Sequence, residues 1–348
     1  MKRCLLAQLF RTASSARTSG RLITRKRIVC SILYILFFMH ALPAESADYV
    51  VGRRDLILAI SIDSTGQGFA VGNKGLVLKT RNNGQTWTRV ETGKHISFND
   101  VAADREQVWI IGQDGTVMYS SSGGDSWTQQ SSPADVSLMQ ITFLDEKRGF
   151  VVGEGGTAMT TDDGGATWRL LDLDWMSLLP EEVIMMGVVA PNLYDIFFID
   201  KEKGWIIGDS GLVLTSHDGG ATWMLARAGT EPPLFSVFFE NAQEGWATGQ
   251  NGLLLRTVDG GIQWDTVAVP VGASLYRIVM DGSRGYIVGD QGTLLQTNDE
   301  GRTWSSVPVM MPPPLPWIGD IQLLASHSER QCIVSGWGLL KIMAIPAP

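Results

Sequence analysis

Residues 149–168 read GFVVGEGGTAMTTDDGGATW, and the same frame returns at residues 204–223 as GWIIGDSGLVLTSHDGGATW. Each copy holds an apolar run bounded by glycines, a Gly turn, a second alternating run and a polar loop that ends on Trp, which is the pattern of short strands joined by tight turns. The closing tryptophans of the frame are Trp87, Trp127, Trp168, Trp223, Trp264 and Trp304, with spacings of 40, 41, 55, 41 and 40 residues. A period near forty accommodates four short strands. In the fullest copy these are Leu193–Ile199, the GWIIG run, Leu212–Thr215 and a strand led by Trp223.

A single four-stranded unit cannot bury both of its faces, so several must pack face to face around an axis. The sequence therefore predicts an all-β protein, a β-propeller of four-stranded antiparallel blades. After the sixth unit, Asp320–Leu324, Cys332–Ser335 and Gly338–Ile342 supply three more strands, and the chain ends before another Trp-led strand. The N-terminal stretch Tyr49–Val51 is expected to complete that last blade, because joining the two chain ends removes open sheet edges. That closure makes seven blades in a single domain over residues 48–348.

The loop before each Trp follows Ser/Thr-x-Asp-x-Gly-x-Thr-Trp, an Asp-box, complete around Asp163 and Trp168, Asp218 and Trp223, and Asp299 and Trp304. In the unit of Asp259 and Trp264, Gln263 replaces the Thr, while Asn82 and Ser122 replace the Asp in the first two units. Asp can accept hydrogen bonds from backbone N–H groups of its own turn, Gly admits positive φ, and Trp fills space between blades. A group required once in an active site has no reason to recur in every unit, so the motif reads as structural.

The GWxxG runs, Gly turns, TTDGGxTW-like boxes and seven units, together with the leader described below, resemble the photosystem II stability/assembly factor family over residues 49–342. Members of that family are lumenal or periplasmic seven-bladed propellers without known catalytic activity that help to build a membrane protein complex. The resemblance implies a protein-interaction scaffold whose partner is a membrane protein complex, with no cofactor.

Residues 1–47 carry eight Lys/Arg and one acid, Glu45; the remainder holds 20 basic against 35 acidic residues, a formal −15. So acidic a body argues against a groove for nucleic-acid phosphates. Within the leader, the apolar run Ile28–Met39 follows Arg25-Lys26-Arg27 and precedes small residues, as in a secretory signal peptide cleaved after Ser46 or Ala47. The basic stretch before it is long enough for a bipartite signal. Export to the periplasm, the extracellular space or a thylakoid lumen follows, with no membrane span in the mature, monomeric propeller. Cys4 and Cys30 lie in the leader, so Cys332 is left without a disulfide partner and reads as a small buried residue.

Aligning the units places Ala59, Asp100, Gln140, Asp195, Ser236, Arg277 and Asp320 at equivalent positions facing the central channel. Three acids near an axis raise the rival reading of an Asp-box glycoside hydrolase working through paired carboxylates such as Asp100 and Asp195. A sialidase-like site would further need three arginines and a tyrosine nucleophile, and Arg277 alone is so placed. The histidines show no metal-ligand spacing.

From the closing Trp to the inward position is usually 13 residues, but Trp168 to Asp195 is 27. The extra length forms an apolar insert at 172–192, with Trp175, Leu178, Leu179, Met185 and Met186 as candidate partner-binding residues. A smaller Pro-rich insert ends at Trp317, a further candidate. The competing reading folds both inserts onto the propeller's own face over the channel.

Overall fold

The second strand of each unit is its most buried element, and the reason is architectural. Gly204–Gly208 and its counterparts Gly149–Gly153 and Gly245–Gly249 are buried at every position, because a middle strand of a radial blade is covered by neighbouring blades on both faces. The computed structural model describes residues 48–179, 181–185, 187, 189–227, 229–309, 317–324 and 331–344, all within one compact unit. The leader, with Cys4 and Cys30, lies outside the described residues, as do Met186 and the Pro-rich stretch 310–316.

Seven antiparallel sheets follow one another along the chain. Their inner strands are Ile57–Ile62, Phe98–Asp104, Leu138–Phe143, Leu193–Phe198, Leu234–Phe239, Leu275–Asp281 and Ile318–Leu324, here numbered blades 1 to 7. Blade 4 shows the plan: Leu193–Phe198 pairs with Gly204–Gly208, which pairs with Leu212–Ser216, which pairs with Met224–Arg227. Between its second and third strands, Ser210 and Gly211 both have positive φ, 55° and 64°. A Cβ at Gly211 would lie 2.0 Å from the carbonyl oxygen of Thr230, so this turn tolerates only glycine there.

Seven hydrophobic clusters occupy the seven boundaries between neighbouring blades. Between blades 4 and 5, Trp205 stacks on Phe239 with ring centroids 3.5 Å apart, and Phe239 meets Trp264 edge-on at 5.9 Å. Trp109, Phe143 and Trp168 repeat this between blades 2 and 3, and Phe150, Phe198 and Trp223 between blades 3 and 4. Each such ring pair adds about 0.5–1.5 kcal/mol beyond its area burial. The indoles also donate across the boundary: Trp109 Nε1 to Gly164 O at 3.0 Å and Trp205 Nε1 to Gly260 O at 2.9 Å.

Those acceptor glycines belong to the Asp-box loops. Asp163 Oδ1 accepts from Thr161 Oγ1 at 2.8 Å and from Thr167 N at 2.8 Å, while Oδ2 accepts from Thr167 Oγ1 at 2.7 Å. Asp218 and Asp299 do the same. Asn82 and Ser122 reproduce the backbone contacts to Thr86 N and Ser126 N at 3.0 Å. The Thr222 and Thr303 hydroxyls, with their backbone N–H groups, pull the Asp218 and Asp299 carboxyls down to about 2. Cys332 is buried, and its thiol is pushed up to about 11 by desolvation.

Closure departs from the sequence expectation in one detail. Blade 7 has three ladder strands, Ile318–Leu324, Gln331–Gly336 and Leu339–Ala344, and Tyr49–Val51 does not join them as a fourth. Tyr49 N instead donates to Trp87 O of blade 1, and the Tyr49 hydroxyl binds Asp55 Oδ2 at 2.8 Å. The segment still seals the seam by packing: Tyr49 and Val51 lie with Leu340 and Ile342 against the cluster between blades 7 and 1. An isolated bridge pairs Leu56 with Trp337, and beside it Gly338 N donates to Asp55 O at 2.7 Å and Trp337 Nε1 to Arg53 O at 2.9 Å. The physical reason is local bonding, since the hydrogen bonds to Trp87 and Asp55 draw Tyr49 onto blade 1.

The box of Asp259 lacks the second hydroxyl, because Gln263 offers only its backbone N–H, at 3.0 Å. Replacing Gln263→Thr is expected to raise the denaturant midpoint by the equivalent of about 0.5–1 kcal/mol, and Asp299→Ala to lower it by about 1–2 kcal/mol. Urea unfolding followed by tryptophan fluorescence measures both. An unchanged midpoint for Asp299→Ala would remove the box from the account of stability.

Candidate functional site

An inner strand is the edge of its sheet, and the N–H groups that point to the axis have no strand to pair with. The structure meets this demand with side chains. Ile141 N of blade 3 donates to Asp100 Oδ2 of blade 2 at 2.8 Å, and Val237 N of blade 5 donates to Asp195 Oδ2 of blade 4 at 2.8 Å. Ile60 N of blade 1 donates to Asp320 Oδ2 of blade 7 at 2.8 Å, and Ile196 N donates to Gln140 Oε1. Four of the seven inward residues thus latch their own blade to the next. Ala59 and Arg277 carry no acceptor, and the Ser236 hydroxyl is turned to the Asp195 carboxylate of the blade before.

Each inward residue follows a slip in register. Between Leu193 and Asp195 the ladder skips Tyr194, and the matching slip occurs in every inner strand. The residues so displaced are Leu58, Asn99, Met139, Tyr194, Phe235, Tyr276 and Gly319. A bulge of this kind re-aims side chains, here toward the axis.

The central cavity measures about 670 Å³ and is lined by Ala59, Asp100, Gln140, Arg277 and Asp320 among others. Asp195, 2% exposed, sits behind Arg277. The guanidinium bridges blades 4 and 7, with Nη1 3.5 Å from Asp195 Oδ1 and Nε 3.5 Å from Asp320 Oδ1. Burial raises the carboxyls of Asp195 and Asp320 despite the opposing pull of Arg277. The same desolvation pushes Asp100 up to about 7, with Arg277 only partly offsetting it. Asp195 and Asp320 use both oxygens on backbone N–H groups, the second accepting from Ile196 N at 3.0 Å and Ile321 N at 2.9 Å.

Above this floor lies an arc of rings that sequence reading did not single out as a site. Tyr194 meets Phe235 with centroids 5.4 Å apart, Phe235 meets Tyr276 at 5.5 Å, and Tyr276 meets Trp317 at 5.5 Å. Its signal was present in the sequence: the residue before each inward position is aromatic in blades 4, 5 and 6. The Tyr194 hydroxyl donates to Asp209 Oδ1 at 2.9 Å, and burial pushes its pKa up to about 12. A tyrosine nucleophile needs the opposite shift. Among the described residues no group of three His, Cys, Asp or Glu side chains is arranged to hold a metal ion.

The insert folds into two short helices, Trp175–Leu178 and Glu181–Met185, the first capped by Asp174 through Ser177 N at 3.3 Å. Trp175, Leu178 and Leu179 turn inward against the cluster between blades 3 and 4, Trp175 beside Gly156. Met185 is 76% exposed, together with Met176 at 63% and Val189 at 75%. The insert does not line the cavity in the described residues. Trp317 belongs to the aromatic arc.

A family model described as photosynthesis system II assembly factor YCF48 matches residues 176–270 and 223–324, and one described as DUF6242 beta propeller domain matches 61–192. The chain resembles the photosystem II assembly-factor propellers. Among solved structures, YCF48 from Cyanidioschyzon merolae is 19% identical with a TM-score of 0.68, covering 84% of this chain and 95% of its own. A YCF48 bound to D1 peptide is 18% identical with a TM-score of 0.68, covering 88% and 97%. A GH74 xyloglucanase from Xanthomonas campestris is 12% identical with a TM-score of 0.66, covering 85% of this chain but 52% of its own. At such identities these likenesses establish the fold alone. Comparison with curated proteins by sequence gave no match.

Asp100 carries a testable sign. Its folded pKa, about 7, lies above the ordinary carboxylate value of 3.8, so its contribution to stability is present below pH 4 and is lost as pH rises through 7. Asp100→Asn keeps an acceptor for Ile141 N and removes the charge. The variant is expected to match the parent at pH 4 and to exceed it by about 1–3 kcal/mol at pH 8. Unfolding titrations at the two pH values decide it; equal stability at pH 8 would show Asp100 to be ordinarily ionised.

Proposed function

We propose that this chain is a non-enzymatic assembly or stability factor, an exported propeller that acts as a protein-interaction scaffold for a membrane protein complex. The observation that carries this reading is the use made of the inward acids. Asp195 and Asp320 have both oxygens occupied by backbone N–H groups and share one guanidinium, which is the condition of latches rather than of a general base or nucleophile. The match to the assembly-factor family supports the same role, and a protein segment as partner agrees with the D1 peptide of the YCF48 structure. The leader supports export, and no helix among the described residues is long and apolar enough to cross a membrane.

The partner docks on the face that bears the insert. Met176, Met185 and Val189 supply the contact, while Trp175, Leu178 and Leu179 anchor the insert to blades 3 and 4. Adjacent exposed apolar side chains of this kind mark interaction sites. An affinity pull-down from detergent-solubilised membranes tests it, comparing the mature protein with the Met176→Ser, Met185→Ser, Val189→Ser variant. The variant is expected to lose about tenfold or more of the captured complex with its melting temperature unchanged. Equal capture would exclude the insert; capture by neither protein would remove the scaffold reading.

A second reading rests on Asp100, whose carboxyl holds a proton near neutral pH as a general acid must. It makes the chain a carbohydrate-active hydrolase. Hydrolysis of a β-glucan or xyloglucan by the parent, abolished in Asp100→Asn, would replace the first reading with this one.

A further inference from the structure

The mouth of the channel gathers three features on the face that carries the turns between second and third strands. Tyr194, Phe235, Tyr276 and Trp317 form a continuous wall of rings across blades 4 to 7. Carboxylates stand behind that wall: Asp209 holds the Tyr194 hydroxyl, with Glu154 acting on the same ring, and burial together with Asp290 raises the Tyr276 hydroxyl. Below it, Asp100, Asp195 and Asp320 share the single guanidinium of Arg277.

The sign of this field decides what can enter. An anion drawn toward Arg277 would meet a guanidinium already divided between two carboxylates and would crowd three acids at once. A neutral guest would leave the charge imbalance as it stands. A cation gains from the floor acids, from the rim acids and from the negative faces of the rings. Lysine and arginine also bring an apolar stem to lay along an aromatic wall, and a cavity of about 670 Å³ admits such a side chain with its flanking backbone.

We propose that the channel mouth is a binding site for a basic side chain, lysine or arginine, carried on an extended segment of the protein partner. The aromatic arc holds the stem, the rim carboxylates hold the charge, and the exposed methionines of the insert lie on the same face for the segment's apolar neighbours. The site rests on the scaffold reading and gives it a chemical specificity.

The test uses the mature protein and three acetylated, amidated peptides, Gly-Lys-Gly-Lys-Gly and its glutamate and norleucine counterparts, followed by calorimetry at low and at physiological salt. The lysine peptide is expected to bind about tenfold or more tightly than either counterpart. Tyr276→Leu with Asp290→Asn is expected to weaken it about tenfold, and Asp290→Asn alone, which leaves the arc intact, about threefold. Asp162→Asn with Glu300→Gln, exposed acids on Asp-box loops at the opposite ends of the strands, should change nothing. Equal loss in that control would reduce the binding to the general negative charge of the body and overturn the site. Equal affinity for the glutamate peptide, or no effect of the arc variants, would also overturn it. Membrane complex captured equally by the parent and by the Tyr276→Leu, Asp290→Asn variant would sink the site and leave the scaffold standing.

Discussion

Seven sheet edges meet at the axis of this molecule, and every one of them points backbone N–H groups into a space where no strand can pair with them. Leaving such a group buried and unpaired costs about 1–3 kcal/mol, so the arrangement is viable only if side chains answer. Asp100, Gln140, Asp195 and Asp320 answer, each from the blade before. The latch from Asp320 to Ile60 joins the last blade to the first at the axis. Gln322 reinforces it, accepting from Ile62 N at 2.9 Å and donating to Ile62 O at 2.6 Å. Ring closure therefore depends on side chains at the axis as well as on the packed seam.

The same constraint explains the chemistry of the channel floor. An acceptor at the inward position is best supplied by a carboxylate, but several carboxylates around one axis repel each other and lose hydration. Arg277 stands in blade 6, where its own strand offers no acceptor, and reaches both Asp195 and Asp320. Burial raises all three carboxyls, and Asp100, which Arg277 does not contact, is pushed up to about 7. A charge pattern that resembles a catalytic dyad in the sequence thus arises from the geometry of latching.

Much of this was legible in the sequence because the repeat constrains it. Trp168 and Trp223 recur with their boxes since each must fill the same wedge between blades, and the spacing of 13 from Trp to inward position located Asp100, Gln140, Ser236 and Arg277, while Asp195 and Asp320 lie beyond the two inserts and were located by aligning the strand runs. The aromatic arc was not legible as a site, because Tyr194, Phe235 and Tyr276 read as members of apolar runs until the register slip shows them displaced toward the axis. The closing segment was misread: Tyr49 and Val51 are apolar and stand before blade 1, but pattern alone does not say whether an apolar residue pairs in a ladder or packs over it. Within the insert, composition revealed the apolar character, while the division between the inward Trp175, Leu178 and Leu179 and the outward Met185 depends on how two short helices settle on blades 3 and 4.

Two sets of positions escape the packing rules that fix everything else. The residue displaced at each bulge lines the cavity, with Asn99 alone also bonding the next blade through Leu138 O at 2.8 Å, and the middle residue of the turn between second and third strands projects from the rim with positive φ, as at Lys74, Ser210, Asn251 and Gln291. Both sets lie on the same face of the ring, so apart from Asn99 its chemistry can change without disturbing a latch, a wedge of rings or an Asp-box. In this chain the bulge set is aromatic on three successive blades and small, amide-bearing or aliphatic on the other four, with Trp317 extending the arc into blade 7. A sevenfold frame thereby presents an asymmetric mouth, with rings on one side and Leu58, Asn99 and Met139 on the other, and asymmetry of that kind lets a symmetric ring hold a guest in a single orientation.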